Sequence, residues 1–217
     1  MRRPLPSYAT GALAFSEFTN DSSRFAAVPG VLLPLPGGNV NIPGFAESLT
    51  GSFGSRSIGG NFEAGYRIRF GVLDVTPFAA LQFGVLNNDG YTESSKLGPS
   101  QLGLTYSSRT ITTLPTFLGL QLKTDTEVGN GMQLSSLLRA AWKSEWSSDR
   151  STRSSFITAP GFDFVVQGAT PPRDSLRLTV TEKLTINKNA EIFGSFDGDF
   201  APTGQGYKGS IGLRIAR

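Results

Sequence analysis

NFEAGYRIRF, residues Asn61–Phe70, alternates without a break: Phe62, Ala64, Tyr66, Ile68 and Phe70 against Glu63, Gly65, Arg67 and Arg69. Successive side chains of a strand point to opposite faces, so this stretch has one apolar and one charged face. Any half-buried strand could carry that pattern once. Here it recurs along the chain, in segments of roughly ten residues set off by turn residues, the length that crosses a bilayer as a tilted strand. The recurrence predicts an all-β, antiparallel outer-membrane-type barrel, with lipid outside and polar groups within.

Outward from that stretch, strands are expected at 8–18, 48–56, 61–71 and 74–86, then at 114–123, 132–146, 175–186, 191–200 and 207–217, with a short one at 101–108. That makes about nine long strands, an odd number for a complete bacterial barrel. In 74–86, Val75, Pro77, Ala79, Leu81, Phe83 and Val85 share a face opposite Asp74, Thr76, Ala80 and Gln82, with Phe78 out of pattern. Leu118, Leu120 and Leu122 oppose Phe117, Gly119, Gln121 and Lys123. Glu182 interrupts an outward row of Leu176, Leu178, Val180 and Leu184, and costs least near an interface. Residues 21–45 hold VPGVLLPLPGGNVNIPG and read as a Pro/Gly-rich linker within one domain spanning 1–217. Long polar loops are expected at 87–111 and 147–173.

Composition agrees. Only 17% of the 217 residues are charged and 38% are hydrophobic, with 26 Gly and 13 Pro, and the mean hydropathy is −0.11. A chain poor in both charges and hydrophobes suits a barrel whose lipid-facing and lumen-facing positions cancel in any average. Cysteine and histidine are absent, which removes thiolate chemistry, the Ser–His pair and the usual zinc ligands. No G-x-S-x-G elbow or phosphate loop occurs. The net charge of +3 is scattered, which argues against nucleic acid as a partner. The N-terminal MRRPLPSYATGALAFSEF has no apolar run before Pro4 and Pro6, so no signal peptide is visible there.

Ordered motifs downstream sharpen the class. LLRAAWKSEW places Trp142 and Glu145 at a strand end. The loop then carries Phe156, Ala159, Pro160, Gly161 and Phe164, and Arg173-Asp174 opens the next strand. Asp197-Gly198 reads as a turn, and Gly209 and Gly212 mark a closing Gly-rich strand. In this succession the chain resembles the C-terminal β-domain of autotransporters (type V secretion), over most of 46–217. The resemblance implies a barrel of about twelve strands entered here near its fourth. The first strands, a lumenal helix and a passenger would then be missing from this sequence. It implies a translocator and anchor in the bacterial outer membrane. The partners would be outer-membrane lipid, the barrel-assembly machinery and a passenger polypeptide, with no cofactor and no catalysis. Family members end on an outward aromatic residue; here that row ends on Arg217.

Glu63, Arg67, Arg69, Arg139, Lys143, Glu145, Arg177 and Lys183 are expected in one polar interior, either as a conduit or as an ion-pair network stiffening the lumen. Tyr66, Trp142, Trp146 and Tyr207 are the expected interface aromatics. Catalytic, cofactor and metal residues are none; Asp163, Asp197 and Asp199 match no metal-ligand spacing. Two alternatives remain. A soluble barrel with an apolar interior would bury Tyr66, Ile68, Leu118, Leu120 and Trp142, and a porin-like channel would pass small solutes.

Overall fold

The computed structural model describes residues 6–215 apart from 37, 96, 97, 99 and 148. Arg217 lies outside the described residues. Eight long strands follow one another: β1 (Ser7–Val28), β2 (Phe45–Tyr66), β3 (Leu73–Asn88), β4 (Pro115–Glu127), β5 (Gln133–Glu145), β6 (Asp174–Asn187), β7 (Ala190–Ala201) and β8 (Gly204–Ile215). Each pairs antiparallel with its chain neighbour. Among the described residues no ladder joins β8 back to β1, so the meander is an open, curled half-barrel.

The expected nine long strands become eight because 48–56 and 61–71 belong largely to one strand. β1 and β2 pair in a single register from Ser7↔Tyr66 to Val28↔Phe45. Gly59-Gly60 sits inside β2, where the glycines admit close approach rather than a turn. A Cβ at Gly60 would lie 2.6 Å from Leu13 Cδ2 and 2.8 Å from both the Ala12 carbonyl oxygen and the Phe83 ring. Merging the two also moves the first connection to the same end of the sheet as the two long loops.

Residues 21–45, expected as linker, are mostly strand. The same register resumes beyond Val28↔Phe45 in a short ribbon, Val31–Leu35 against Gly38–Ile42. In that register Pro29-Gly30 faces Pro43-Gly44. Proline has no N–H to give the ladder, and the facing glycines let the backbones close, a Cβ at Gly44 falling 2.5 Å from the Gly30 nitrogen. The prolines and glycines therefore mark one interruption in a long hairpin. Pro77 acts similarly: the β2–β3 ladder stops at Gly65↔Phe78 and the short strand Ile68–Phe70 resumes it at Ile68↔Val75, skipping the two positions at Pro77 and Thr76.

Asp197-Gly198, read as a turn, lies within β7. The turn falls at Pro202-Thr203, between the paired Ala201 and Gly204. Gly198 leaves room for aromatic rings, since a Cβ there would meet Phe200 at 2.7 Å. Tyr207, directly opposite, packs on Phe196 and Phe200 with ring centroids 6.2 and 5.5 Å apart. The aromatic cluster fills the face that Gly198 leaves bare.

The outward face is apolar across the sheet: Leu118 is 72% exposed, Ile211 85% and Trp142 64%. A soluble barrel demands the reverse. Two polar rows cross this surface. At the loop end, Glu17, Arg56, Asn87 and Thr110 stand opposite one another across four strands, with Glu17 and Arg56 ion-paired at 3.4 Å. At the turn end, Thr124, Ser136 and Glu182 are aligned, Ser136 donating to Glu182 at 2.5 Å. Glu182 thus interrupts the apolar row where a polar neighbour meets it.

Replacing Gly60 by Ala is expected to destabilise the sheet by about 1–3 kcal/mol through overpacking against backbone and ring. Urea unfolding in detergent micelles, against Gly209→Ala where the nearest neighbour lies 3.9 Å away, measures it.

Candidate functional site: the lumenal face and the loop end

On the concave face, Glu63 of β2 reaches past β3 and β4 to Arg139 of β5, Oε2 to Nη2 2.7 Å. Tyr8 of β1 donates to the other Glu63 oxygen at 2.7 Å. The Arg139 guanidinium lies over the Phe78 ring, 4.1 Å from its centroid. That explains Phe78: it faces inward with Phe117 and Ala141 as a small buried cluster, and the ring seats the cation. Arg177 repeats the arrangement, stacked 5.1 Å over Phe117 and held bidentately by Asp199 at 2.7 and 3.1 Å. Asp197 accepts from Thr179 at 2.7 Å. A cavity of about 320 Å³ lies among Glu63, Phe117, Arg139, Arg177 and Asp197.

The eight charged candidates therefore do not form one cluster. Glu63, Arg139 and Arg177 meet around this cavity. Lys143 shares their face and acts on Asp199. Arg67 and Arg69 sit at the turn end with Asp74, at 3.9 and 2.8 Å. Lys183 is exposed, at the level of Ser135 near the turn end. Glu145 is buried and works as a cap at the loop end, accepting Leu114 N at 2.8 Å and Ser147 N at 3.2 Å. Strand period assigns a face but not a height, which is why the sequence pooled them.

The aromatic candidates are outward and well exposed. Trp142 donates its indole N–H to Asp174 at 3.0 Å, Trp146 donates to Thr116 at 3.0 Å, and Arg173 lies 6.0 Å over the Trp146 ring. Tyr66 closes β2 at the turn end, and Tyr207 lies near the loop end of β8. The motif Phe156…Phe164 is a small hairpin: Ala159 N donates to Phe156 O, Phe162 N to Ala159 O, and the two rings sit 5.7 Å apart. Gly161 takes φ 90°, which its position requires.

Of a second organised region the sequence showed only the short strand expected at 101–108, observed at 104–106. The loops 89–114 and 146–173 build a four-stranded sheet of 163–166, 152–156, 104–106 and 91–92. It folds against the inner face of the β1–β2 hairpin beyond the polar row. Leu49 is fully buried there. Arg24 grips Glu93 through Nε at 3.0 Å and Nη2 at 2.5 Å and also donates to Leu102 O. Glu47 accepts Gln101 N at 2.9 Å, Leu102 N at 3.0 Å and Ser100 Oγ at 3.2 Å. Those backbone N–H groups hold the Glu47 carboxyl below its ordinary range, while burial raises the Tyr106 hydroxyl. Arg24 and Glu93 are 69 positions apart and Glu47 shares no motif with either, so no local signal in the sequence marked these contacts.

The fold and the two faces define a membrane β-sheet protein with a charged lumen and a structured loop end. Comparison with protein families matches residues 2–197 to the family described as Autotransporter beta-domain, and the chain belongs to that family. Membership implies an outer-membrane translocator role, the family being one of non-enzymatic transporter domains. No curated protein matches the chain.

Because its folded value is lowered, Glu47 contributes stability above its unfolded value and loses it as pH falls through the folded one. The Gln101 and Leu102 amides are expected to be protected from hydrogen exchange at neutral pH and to lose protection only once the pH has fallen below the ordinary glutamate range. In Glu47→Gln that acid dependence should vanish. Arg139→Ala, which leaves the Glu63 carboxylate only its Tyr8 hydrogen bond and no countercharge, is expected to cost about 1–3 kcal/mol in urea unfolding.

Proposed function

We propose that residues 1–217 act as one translocator domain that anchors in the outer membrane and mediates export and surface display of an N-terminal passenger outside this chain. The supporting observation is the division of faces. An apolar exterior, crossed by the Glu17–Thr110 and Thr124–Glu182 rows, faces away from a charged interior organised by Glu63–Arg139 and Arg177–Asp199. A polypeptide in transit meets polar, mutually neutralised walls there, which solvate it without trapping it. Glu63, Arg67, Arg69, Arg139, Lys143, Glu145, Arg177 and Lys183 line the conduit at different heights, while Tyr66, Trp142, Trp146 and Tyr207 anchor its interfaces. Lipid and the barrel-assembly machinery are the partners of insertion, and no bond is made or broken by the domain.

The test fuses a secretion signal and an epitope-tagged passenger ahead of residue 1 in a Gram-negative host. Protease removal of the tag from intact cells is the expected result, and a tag retained in the periplasm counts against export. Leu120→Arg on the lipid face should reduce membrane assembly sharply, since such a charge costs about 2–4 kcal/mol at mid-bilayer. Gln121→Arg, one residue on but facing inward, should leave it nearly unchanged.

A further inference from the structure

At the loop end, on the inner face and above the Glu63–Arg139 pair, lies a second cavity of about 280 Å³. One wall is aromatic. Phe53 of β2 stacks on Tyr91, and Tyr91 on Tyr106, each pair 4.6 Å between centroids and within 16° of parallel. The lining also carries Arg109 and Arg150, both half-buried. Arg109 donates to Thr152 Oγ1 and to the Arg150 carbonyl oxygen, and Arg150 to the carbonyl oxygens of Thr112 and Asp149 at 3.2 and 2.9 Å.

The two guanidiniums are thus positioned by neutral acceptors. Among the described residues neither has a carboxylate within 4.0 Å, unlike Arg24, Arg139 and Arg177. Asp149 feels the Arg150 charge, but its carboxylate accepts Ser151 N at 2.9 Å. Asp89, the acidic residue of the lining, is exposed, and its side chain makes no ion pair among the described residues. Below, Asn20 donates to Ser55 and Ser55 to Asn88 Oδ1 at 2.7 and 2.8 Å, leaving the Asn88 Nδ2 donor without a partner among the described residues.

Two half-buried cations and an amide donor that share one cavity with a stack of flat rings have the chemistry of a receptor for an anion on a ring. We propose that this cavity binds a small organic anion, a carboxylate or phosphate carried on a sugar or aromatic ring. Arg109 and Arg150 would take the charge, and the Phe53–Tyr91–Tyr106 stack would take the ring. The inference does not depend on passenger export. It makes the loop end a ligand-responsive element, because the cavity is built from both long loops and β2, and occupancy ties them together.

Calorimetric titration of the full chain in lipid nanodiscs tests it, with benzoate and glucose 6-phosphate as probes. Their partners lacking charge, benzyl alcohol and glucose, and inorganic phosphate lacking a ring, serve as comparisons. The charged ring probes should saturate, with at least about tenfold weaker binding of each comparison and about tenfold loss in Arg109→Gln and Arg150→Gln. Asp89→Asn removes a repelling charge and should tighten binding several-fold, a sign that loosened loops cannot produce. No saturable heat from either probe up to about 10 mM, or equal binding of the neutral rings, overturns the site. Phosphate alone binding as well as glucose 6-phosphate overturns the role of the ring, and weaker binding in Asp89→Asn overturns the role of charge.

Discussion

The antiparallel registers of seven ladders from Ser7 to Ile215, shifted at a bulge between Thr185 and Asn187, commit the side chains of the long strands to one of two faces. A slip of one residue anywhere would send Arg139 toward lipid and Leu138 into the lumen. The devices that protect register are therefore the ones most visible in the fold. Gly60 lets Leu13 and Phe83 close over it. Gly198 is covered by Tyr207 from the next strand. Pro77 costs one stretch of pairing without shifting the register on its far side. In a bilayer each unpaired backbone group is costly, so the ladder is also what makes the strands compatible with lipid.

With faces set, the interior is assembled by a repeated unit of an arginine, a carboxylate and an aromatic ring. Arg139 has Glu63 and Phe78; Arg177 has Asp199 and Phe117. Each ring removes one side of the guanidinium from water while the carboxylate neutralises it, so the charges are rigid without being stranded. Reaching across two intervening strands, Glu63–Arg139 also spans the concavity, which couples the curl of the sheet to an electrostatic contact. Arg24–Glu93 does comparable work at the loop end, fixing a loop onto the inner face of the hairpin.

The loop end is more structured than its composition suggests. Glu47, Arg24 and Glu93 lie far apart in sequence and carry no motif, yet they meet with Leu49 in a region dense with backbone hydrogen bonds. The tip of the hairpin behaves differently. Beyond the facing Pro-Gly pairs, Val31, Leu33, Leu35, Val40 and Ile42 are exposed on a two-stranded ribbon, a construction with little independent stability in water. The prolines and glycines thus separate a docked part of the hairpin from an undocked one.

Alternation alone determined which residues share a face: Tyr66, Ile68, Leu118, Leu120 and Trp142 outward, Glu63, Arg139 and Arg177 inward, because a strand has period two whatever its neighbours. Ordered motifs from Trp142 to Asp174 likewise identified the family, since each serves a local turn or cap. Heights and partners belong to the tertiary structure. Only the inter-strand register decided that Glu63 meets Arg139 while Arg69 meets Asp74, and that Glu145 caps a loop at the end of its strand. Glycine and proline were ambiguous in the sequence for the same reason. Gly59-Gly60, Asp197-Gly198 and Pro29-Gly30 all look like turns, and whether a glycine ends a strand or admits a neighbour depends on atoms that another strand supplies.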